Sequence, residues 1–593
     1  MKRTQNAREA EAAARNVGWL SLQLRRRPGL WLLLFVPVWA GVLWDTRDAV
    51  QPQVPWLDEK IALHRAASMA DGELFDRDGG WLQPPGYPAL LALLRAPIPP
   101  PDGVLPKPGL PPLWQLAQIA AWFGILASLA ACGRTALGGR ASWIPATLFL
   151  LYAEGWLLAL RPLPEIWLGL ASAILALWTL RPGARSAWHF FGLGLVAGAA
   201  TLLRGHAFLL AVPLLLSLLS SRSRRVAAAV ACGVLLPIVI PSALHSVKQG
   251  AFAGPSTNAG INLYIGNRAG ANGLYNMDTG YDFARDPAGR TWLSDLGGMA
   301  AGTLTDVDRQ WRRLALDHMR RHPGAALRLL LRKSWLQLAA TEIPQIDGIS
   351  AWRRFAPRLH LFFLPFGVLS ALALVTIFCR PSNPAVRNHA ATLVLLVAAQ
   401  SAFFVVGRFR LIFVPQLCLL SAFALVHLSG LFRSKSQRPR TAVAACAAIV
   451  LVIPWGLGGV RAALREGVDA SLGARWSQLI AVRHTAGDEL EAFAQLERWS
   501  RIGVGVPLDE RAGILHVKLL SERARHEDAM ARADHLQRQF PDSPRVAYAR
   551  AISCIRGGKL EDAERILRAA KSRWMEDTQL RNLWQNLQED MHG

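Results

Sequence analysis

The sequence predicts an all-α polytopic membrane protein of about eleven transmembrane helices joined to a soluble α-helical repeat domain. Three observations predict it. The 593 residues are 52% hydrophobic and 18% charged, so charge is scarce for a soluble domain. Apolar runs long enough to span a bilayer recur along the chain. After Val460 the pattern becomes polar and helical, with 21 basic and 20 acidic residues, nearly balanced.

Residues 1–28 carry seven basic and two acidic side chains, which places them on the cytoplasmic side. The first apolar run, Leu30 to Trp44, follows Arg25-Arg26-Arg27, and no small-residue cleavage site follows it, so it reads as a retained span. The transmembrane domain is expected over residues 29–460. Its first outside loop, 45–113, has nine acids against six bases. The loop ends in a stiff proline-rich stretch from Pro97 to Pro112. Spans follow at about 114–132, 141–160, 164–180, from 188, 206–220, and up to His245. Arg134, Arg140, Arg181, Arg185 and the Ser221–Arg225 run mark the inside. A long outside loop, 246–358, holds the segment Ala325 to Ala340. Its cations Arg328, Arg332 and Lys333 lie on one side of a helix and its leucines on the other, a pattern that suits the membrane interface better than a crossing. Spans at about 359–379, 390–406, 411–431 and 442–460 complete the domain. Residues 461–593 are then outside. There Glu527-Asp528-Ala529 recurs as Glu561-Asp562-Ala563, a spacing of 34 residues that resembles tetratricopeptide repeats; a plain helical bundle is the alternative.

The net charge of +24 does not point to nucleic acid, because much of the excess sits in short loops where it sets orientation. The six cysteines show no CxxC or Cys/His spacing, so neither a disulfide framework nor a cysteine metal site is expected.

Chemistry-bearing residues gather at one membrane face. Asp58 and Glu59 stand together in the first outside loop, followed by Gln83-Pro84-Pro85-Gly86-Tyr87-Pro88. A carboxylate near a bilayer can act as a general base, bind a metal, or simply be solvated. Glu154, Arg161, Glu165, Arg204, His206, Arg408 and Arg410 fall at the same outer ends of spans. Single arginines there can snorkel to headgroups, but snorkelling would place them on both faces. Cations beside carboxylates at one face suit chemistry on a lipid-linked anionic substrate.

Three blocks in this order carry a family likeness: the Asp58-Glu59 loop with Pro-Pro-x-Tyr-Pro, the block Ser256 to Asn267 with Gly273-Leu274-Tyr275, and Arg408-Phe409-Arg410-Leu411 with Pro415. Together they resemble the GT-C superfamily of polytopic glycosyltransferases, nearest its protein O-mannosyltransferase and aminoarabinose transferase branch, over about residues 30–431. The resemblance implies transfer of a sugar from a polyprenyl-phosphate donor, with inversion, on the periplasmic face of a bacterial inner membrane. Asp58 matches the catalytic base and Glu59 its partner. Arg408, then Arg410, Arg204, Lys333 and Arg65, are the candidates for the donor phosphate. Gln83, Tyr87, Glu165, Asn258, Asn262 and Asn267 are candidates for sugar or acceptor. The asparagines can equally serve turns, and Tyr87 can simply wedge beside its prolines. Gln83 stands where the aminoarabinose transferases have a phosphate-binding lysine, so phosphate binding leans on the other cations. No cofactor is firmly implied; Asp58, Glu59 and Glu165 are the oxygen ligands available to a divalent cation. The expected partners are the lipid-linked sugar, membrane lipids, a lipid, glycan or protein acceptor, and a protein partner for the repeats. Three rivals remain at this stage: a lipid-linked sugar transporter, a glycan polymerase or ligase, and a non-catalytic scaffold presenting the repeats.

Overall fold

A computed structural model describes residues 35–592 apart from 48, 77, 99, 101–102, 106–109, 181–185, 213–214, 216–223, 276–285, 299–300, 340–341, 346–347, 379–382, 434–457, 504–505 and 575. The expected N-terminal cytoplasmic segment and most of the last expected span, 442–460, lie outside the described residues. Among the described residues the fold is helical, and the one β-feature is an isolated parallel bridge between Leu274 and Val405. Among the described residues, three helices are long and apolar enough to cross a membrane: Leu113–Ala136, Arg224–Gln249 and Pro357–Phe378. A fourth crossing is available if the bent pair Ala141–Leu151 and Ala153–Ala159 counts as one span. Shorter apolar helices occupy Glu165–Leu180, Ala187–Thr201 and Val414–Leu428. The chain is therefore a helical membrane protein.

Contacts divide the chain into two units. The first comprises Met1–Asp48, Leu57–Pro99 and Lys107–Leu464. Its centre is an aromatic stack joining four expected spans. Trp39 stacks on Trp156 at 4.5 Å, Trp156 stacks on Phe362 at 4.0 Å, and Trp122 meets Trp39 edge-on at 5.3 Å. The 62° bend between Leu151 and Ala153 leaves carbonyls without helical partners, and Trp156 Nε1 donates to Leu150 O at 2.9 Å. A side chain thus re-satisfies backbone that a break in a span has freed.

Helices Ala187–Thr201 and Arg224–Gln249 pack through glycine. A Cβ added at Gly194 would lie 2.4 Å from Val230 O, and one at Gly233 would lie 2.2 Å from Phe191 O. Small residues at such crossings let backbones approach where lipid offers no hydrophobic drive. Helix Pro323–Leu338 has 16 residues. It leaves Leu327, Leu331 and Trp335 exposed beside exposed Arg328 and Arg332, and buries Lys333, Leu336 and Gln337. An amphipathic surface of this kind fits a headgroup boundary.

The long loop is a small helical layer. Helix Ala259–Asn267 packs on Leu304–Arg321 around Ile261, Ile265, Leu293, Val307 and Trp311. Gly260 and Gly266 lie inside that helix. Their role is close approach: a Cβ at Gly266 would lie 2.5 Å from the Phe403 carbonyl carbon. Gly273, with φ +91°, lies in a bend just before the Leu274 bridge.

The second unit comprises Ala49–Trp56, Pro100–Pro106 and Arg465–Gly593. Two stretches of the first loop thus belong with the C-terminal helices: Leu105 N–H donates to Gln53 O at 2.7 Å, and Arg483 reaches Gln53 Oε1 at 3.5 Å. Helices Glu510–Glu522 and His526–Gln539 are followed, 34 residues later at both ends, by Pro544–Arg556 and Leu560–Arg573. Asp509 and Ser543, also 34 apart, accept hydrogen bonds from Ala512 N–H at 2.8 Å and Val546 N–H at 3.2 Å. Asp577, 34 further on, accepts from Leu580 N–H at 3.0 Å before Thr578–His592. Ala529 and Ala563 are fully buried where paired helices cross.

Two predictions follow from packing and capping. Gly194→Leu destabilises the protein by at least about 2 kcal/mol, measured as a lower melting temperature in detergent; Gly192→Leu, whose Cβ would meet nothing within 4 Å, leaves it unchanged. Asp509→Ala and Ser543→Ala each cost about 1 kcal/mol of helix stability, read as earlier loss of amide-exchange protection over residues 510–556.

Candidate active site

Most of the candidate residues meet in the first unit around a cavity of about 990 Å³. Helix Asp58–Ala70 supplies its first wall. Leu57, just before it, holds φ at +47°, a left-handed conformation that is costly for a side chain of this size. The strained residue sets the direction from which Asp58 enters the helix, and the positive N-terminus favours both first-turn carboxylates.

Asp58 is ion-paired with Arg408, 350 residues away in the sequence. Gln83 Nε2 donates to its other oxygen at 3.1 Å. Arg408 in turn reaches Glu165 Oε1 at 2.9 Å and donates to Gln345 Oε1 from Nε at 3.0 Å and Nη2 at 2.7 Å. Arg204 Nη2 meets the same Glu165 oxygen at 2.5 Å. Phe409 lies against both cations, with its ring centroid 3.7 Å from the Arg204 guanidinium carbon and 4.7 Å from that of Arg408.

Asp58, Gln83, Tyr87, Arg204, Asn258 and Asn262 line the cavity, as do Arg65 and Arg408. Arg65 is committed to Asp76 at 2.5 Å and to the Glu73 carbonyl at 3.1 Å. Tyr87 is buried, and its hydroxyl donates to Gln118 Oε1 at 2.8 Å. Burial alone would raise the Asp58 carboxyl. The Arg408 and Arg204 guanidiniums, with hydrogen bonds from Arg408 and Gln83, outweigh it and hold Asp58 below the usual carboxylate range.

Five residues from the sequence-based set do not line the cavity. Glu59, 3% exposed, turns the other way and pairs with Arg161 at 2.6 Å. Glu165, 1% exposed, stands behind the two arginines. Arg410 is fully buried; it donates to Leu336 O at 2.6 Å and faces Glu342 at 3.5 Å and the Phe366 ring at 4.3 Å. The 3₁₀ turn Gly407–Ile412 explains the separation of the two arginines, since about 120° per residue puts positions two apart on different sides. Asn267 donates to Leu263 O and Ala402 O, each at 2.8 Å. Lys333 Nζ donates to Asn267 Oδ1 at 2.8 Å, Gly266 O at 3.2 Å and Ala402 O at 3.3 Å. These last two residues tie helix Ala259–Asn267 to helix Pro323–Leu338 and to the end of helix Pro384–Ser401.

Gln345, Gln400, His206 and Tyr275 also line the cavity. Gln400 donates to Phe409 O at 2.9 Å and lies 3.1 Å from His206 Nε2. Neither glutamine carries a sequence signal, since each acts through a partner distant along the chain. Among the described residues no cluster of three or more His, Cys, Asp or Glu could hold a metal ion.

No family model and no curated protein matches the sequence. Among solved structures, the chain is similar to the archaeal oligosaccharyltransferase AglB from Archaeoglobus fulgidus, solved with an inhibitory peptide and a dolichol-phosphate. The TM-score is 0.34 and the identity 12%, over 72% of this chain and 54% of that one. The chain thus spans about half the length of the archaeal protein.

Burial lowers the Lys333 ammonium to about 8, against about 10.4 in an unfolded chain. Between those values the folded state has released a proton that the unfolded state keeps, so stability rises with pH. The melting temperature of the native protein should climb across that window relative to Lys333→Met, which lacks the titrating group.

Proposed function

We propose that the protein is a membrane glycosyltransferase that moves a sugar from a polyprenyl-phosphate donor to an acceptor hydroxyl, with inversion at the anomeric carbon. The observation that carries this reading is the meeting of Asp58, Arg408 and Arg204 on the wall of one cavity. Asp58 is the general base: it takes the acceptor proton as the acceptor oxygen bonds to the anomeric carbon. The bond from that carbon to the phosphate oxygen breaks, and the polyprenyl phosphate leaves with the electron pair. Arg408 and Arg204 face the phosphate, whose charge grows as it departs; a guanidinium fork suits its oxygens.

The resting ion pair has a consequence for this mechanism. A carboxylate held low by Arg408 is ionised but a weak base. A phosphate that draws Arg408 away leaves Asp58 with its burial and less countercharge, which raises its basicity. The donor would in this way prepare the base for the acceptor. Asn258, Asn262 and Gln83 supply amides for sugar hydroxyls, and Tyr87 supplies an apolar wall. Glu59 acts through Arg161, and Arg65 through Asp76, to shape the helix that carries Asp58.

In the same reading the protein has about eleven spans. The cavity and the C-terminal unit face the periplasm of a bacterial inner membrane, and the C-terminal helices form a tetratricopeptide-like surface for a protein partner or acceptor. The 34-residue recurrence of helix ends and caps supports that last part.

Cells lacking the protein should lose a defined glycan from envelope lipids, polysaccharides or glycoproteins, seen by mass spectrometry. The native chain restores it. Asp58→Asn, at equal abundance and melting temperature, lowers transfer by about 10²–10⁴-fold. Full restoration by Asp58→Asn would instead favour a scaffold.

A further inference from the structure

Glu165 opens helix Glu165–Leu180 directly after Pro164. It is 1% exposed and does not line the cavity. One of its oxygens takes both Arg204 at 2.5 Å and Arg408 at 2.9 Å. Its other oxygen is buried and has no hydrogen-bond partner among the described residues. The two cations come from distant parts of the chain, the turn before Gly205–Ala211 and the turn Gly407–Ile412. Like charges so close repel, and each is largely withdrawn from water. A buried carboxylate between them offsets both costs and fixes their separation. Phe409, against both guanidiniums, limits the remaining freedom by stacking.

We propose that Glu165 is a positioning residue that never touches substrate and holds Arg204 and Arg408 together as a two-armed clamp for the phosphate of a prenyl-phosphate ligand. The inference rests on the transferase reading for the identity of that ligand. It replaces the sequence-based expectation that Glu165 itself contacts sugar or acceptor.

The sign of one substitution separates this role from plain electrostatics. Glu165→Gln keeps the size of the side chain and removes a negative charge beside an anion site. If Glu165 contributes only charge, prenyl-phosphate binding should tighten, because a repulsive group is gone. If Glu165 positions the arginines, binding should weaken, because each loses a charge-assisted hydrogen bond and the pair separates.

The test uses the full chain in lipid nanodiscs, with farnesyl phosphate as the charged probe and farnesol as the neutral one. Binding is followed by native mass spectrometry and melting temperature by tryptophan fluorescence. The native protein is expected to bind farnesyl phosphate more tightly than farnesol, and Arg408→Gln to remove that preference. Glu165→Gln should weaken farnesyl phosphate roughly 10-fold and leave farnesol unchanged. Glu165→Asp, which keeps the carboxylate one methylene further back, should recover part of the loss.

Equal or tighter farnesyl phosphate binding by Glu165→Gln overturns the positioning role while leaving the transferase reading intact. Parallel loss of both probes, with a lowered melting temperature and no recovery in Glu165→Asp, also overturns it and assigns Glu165 to the fold alone. A native protein with no preference for the phosphate overturns both readings together.

Discussion

The Arg408 guanidinium is the constraint on which the site depends. It joins Asp58 from the first loop, Glu165 from the head of a membrane helix, and Gln345 from the long loop. Three parts of the chain therefore converge on one planar fork with five donors in fixed directions. A lysine could not make this set of contacts, since its ammonium is a point charge without the fork. The same guanidinium makes the carboxylate beside it both ionised and occupied.

Buried ion pairs are poor sources of stability, because withdrawing the charges from water offsets their attraction. The first unit nevertheless buries several: Arg161 with Glu59, Arg204 and Arg408 with Glu165, and Arg410 near Glu342. Apolar packing would hold these helix ends at lower cost. Aromatic packing already supplies the cohesion of the spans, through Trp39, Trp122, Trp156 and Phe362. In the proposed reading only the Arg204–Glu165–Arg408 set is placed for an anionic ligand, since Arg204 and Arg408 line the cavity and Arg161 and Arg410 do not.

Much of this was legible in the sequence, for local reasons. Apolar runs mark spans because lipid leaves few alternatives: Leu113–Ala136, Arg224–Gln249 and Pro357–Phe378 lie at expected runs, whereas the start of the expected span 206–220 is the 3₁₀ turn Gly205–Ala211. The 34-residue recurrence is visible in Glu-Asp-Ala and, more sharply, in the capping side chains at Asp509, Ser543 and Asp577. What the sequence could not convey was direction. Asp58 and Glu59 are neighbours, yet one faces a cavity and the other Arg161. Arg408 and Arg410 share a turn and point apart. Lys333 looks like a phosphate ligand by charge alone, but its three partners are a carboxamide and two carbonyls. Pairing at long separation also moved two stretches of the first loop, Ala49–Trp56 and Pro100–Pro106, into the C-terminal unit.

Exposure then distinguishes among the three carboxylates nearest the arginines. Glu59 and Glu165 are 3% and 1% exposed, whereas the Asp58 side chain is 29% exposed. A group that exchanges a proton with an acceptor must be reached by it, and a group that fixes cations must not be displaced by water. The fold assigns these opposite requirements to different residues: the acid at the strained start of a helix opens to the cavity, and the acids behind it are sealed. An arginine shared between an open and a sealed carboxylate can release the first while the second keeps it in place. In the proposed reading, this division of labour lets one cation serve both the resting site and an arriving phosphate.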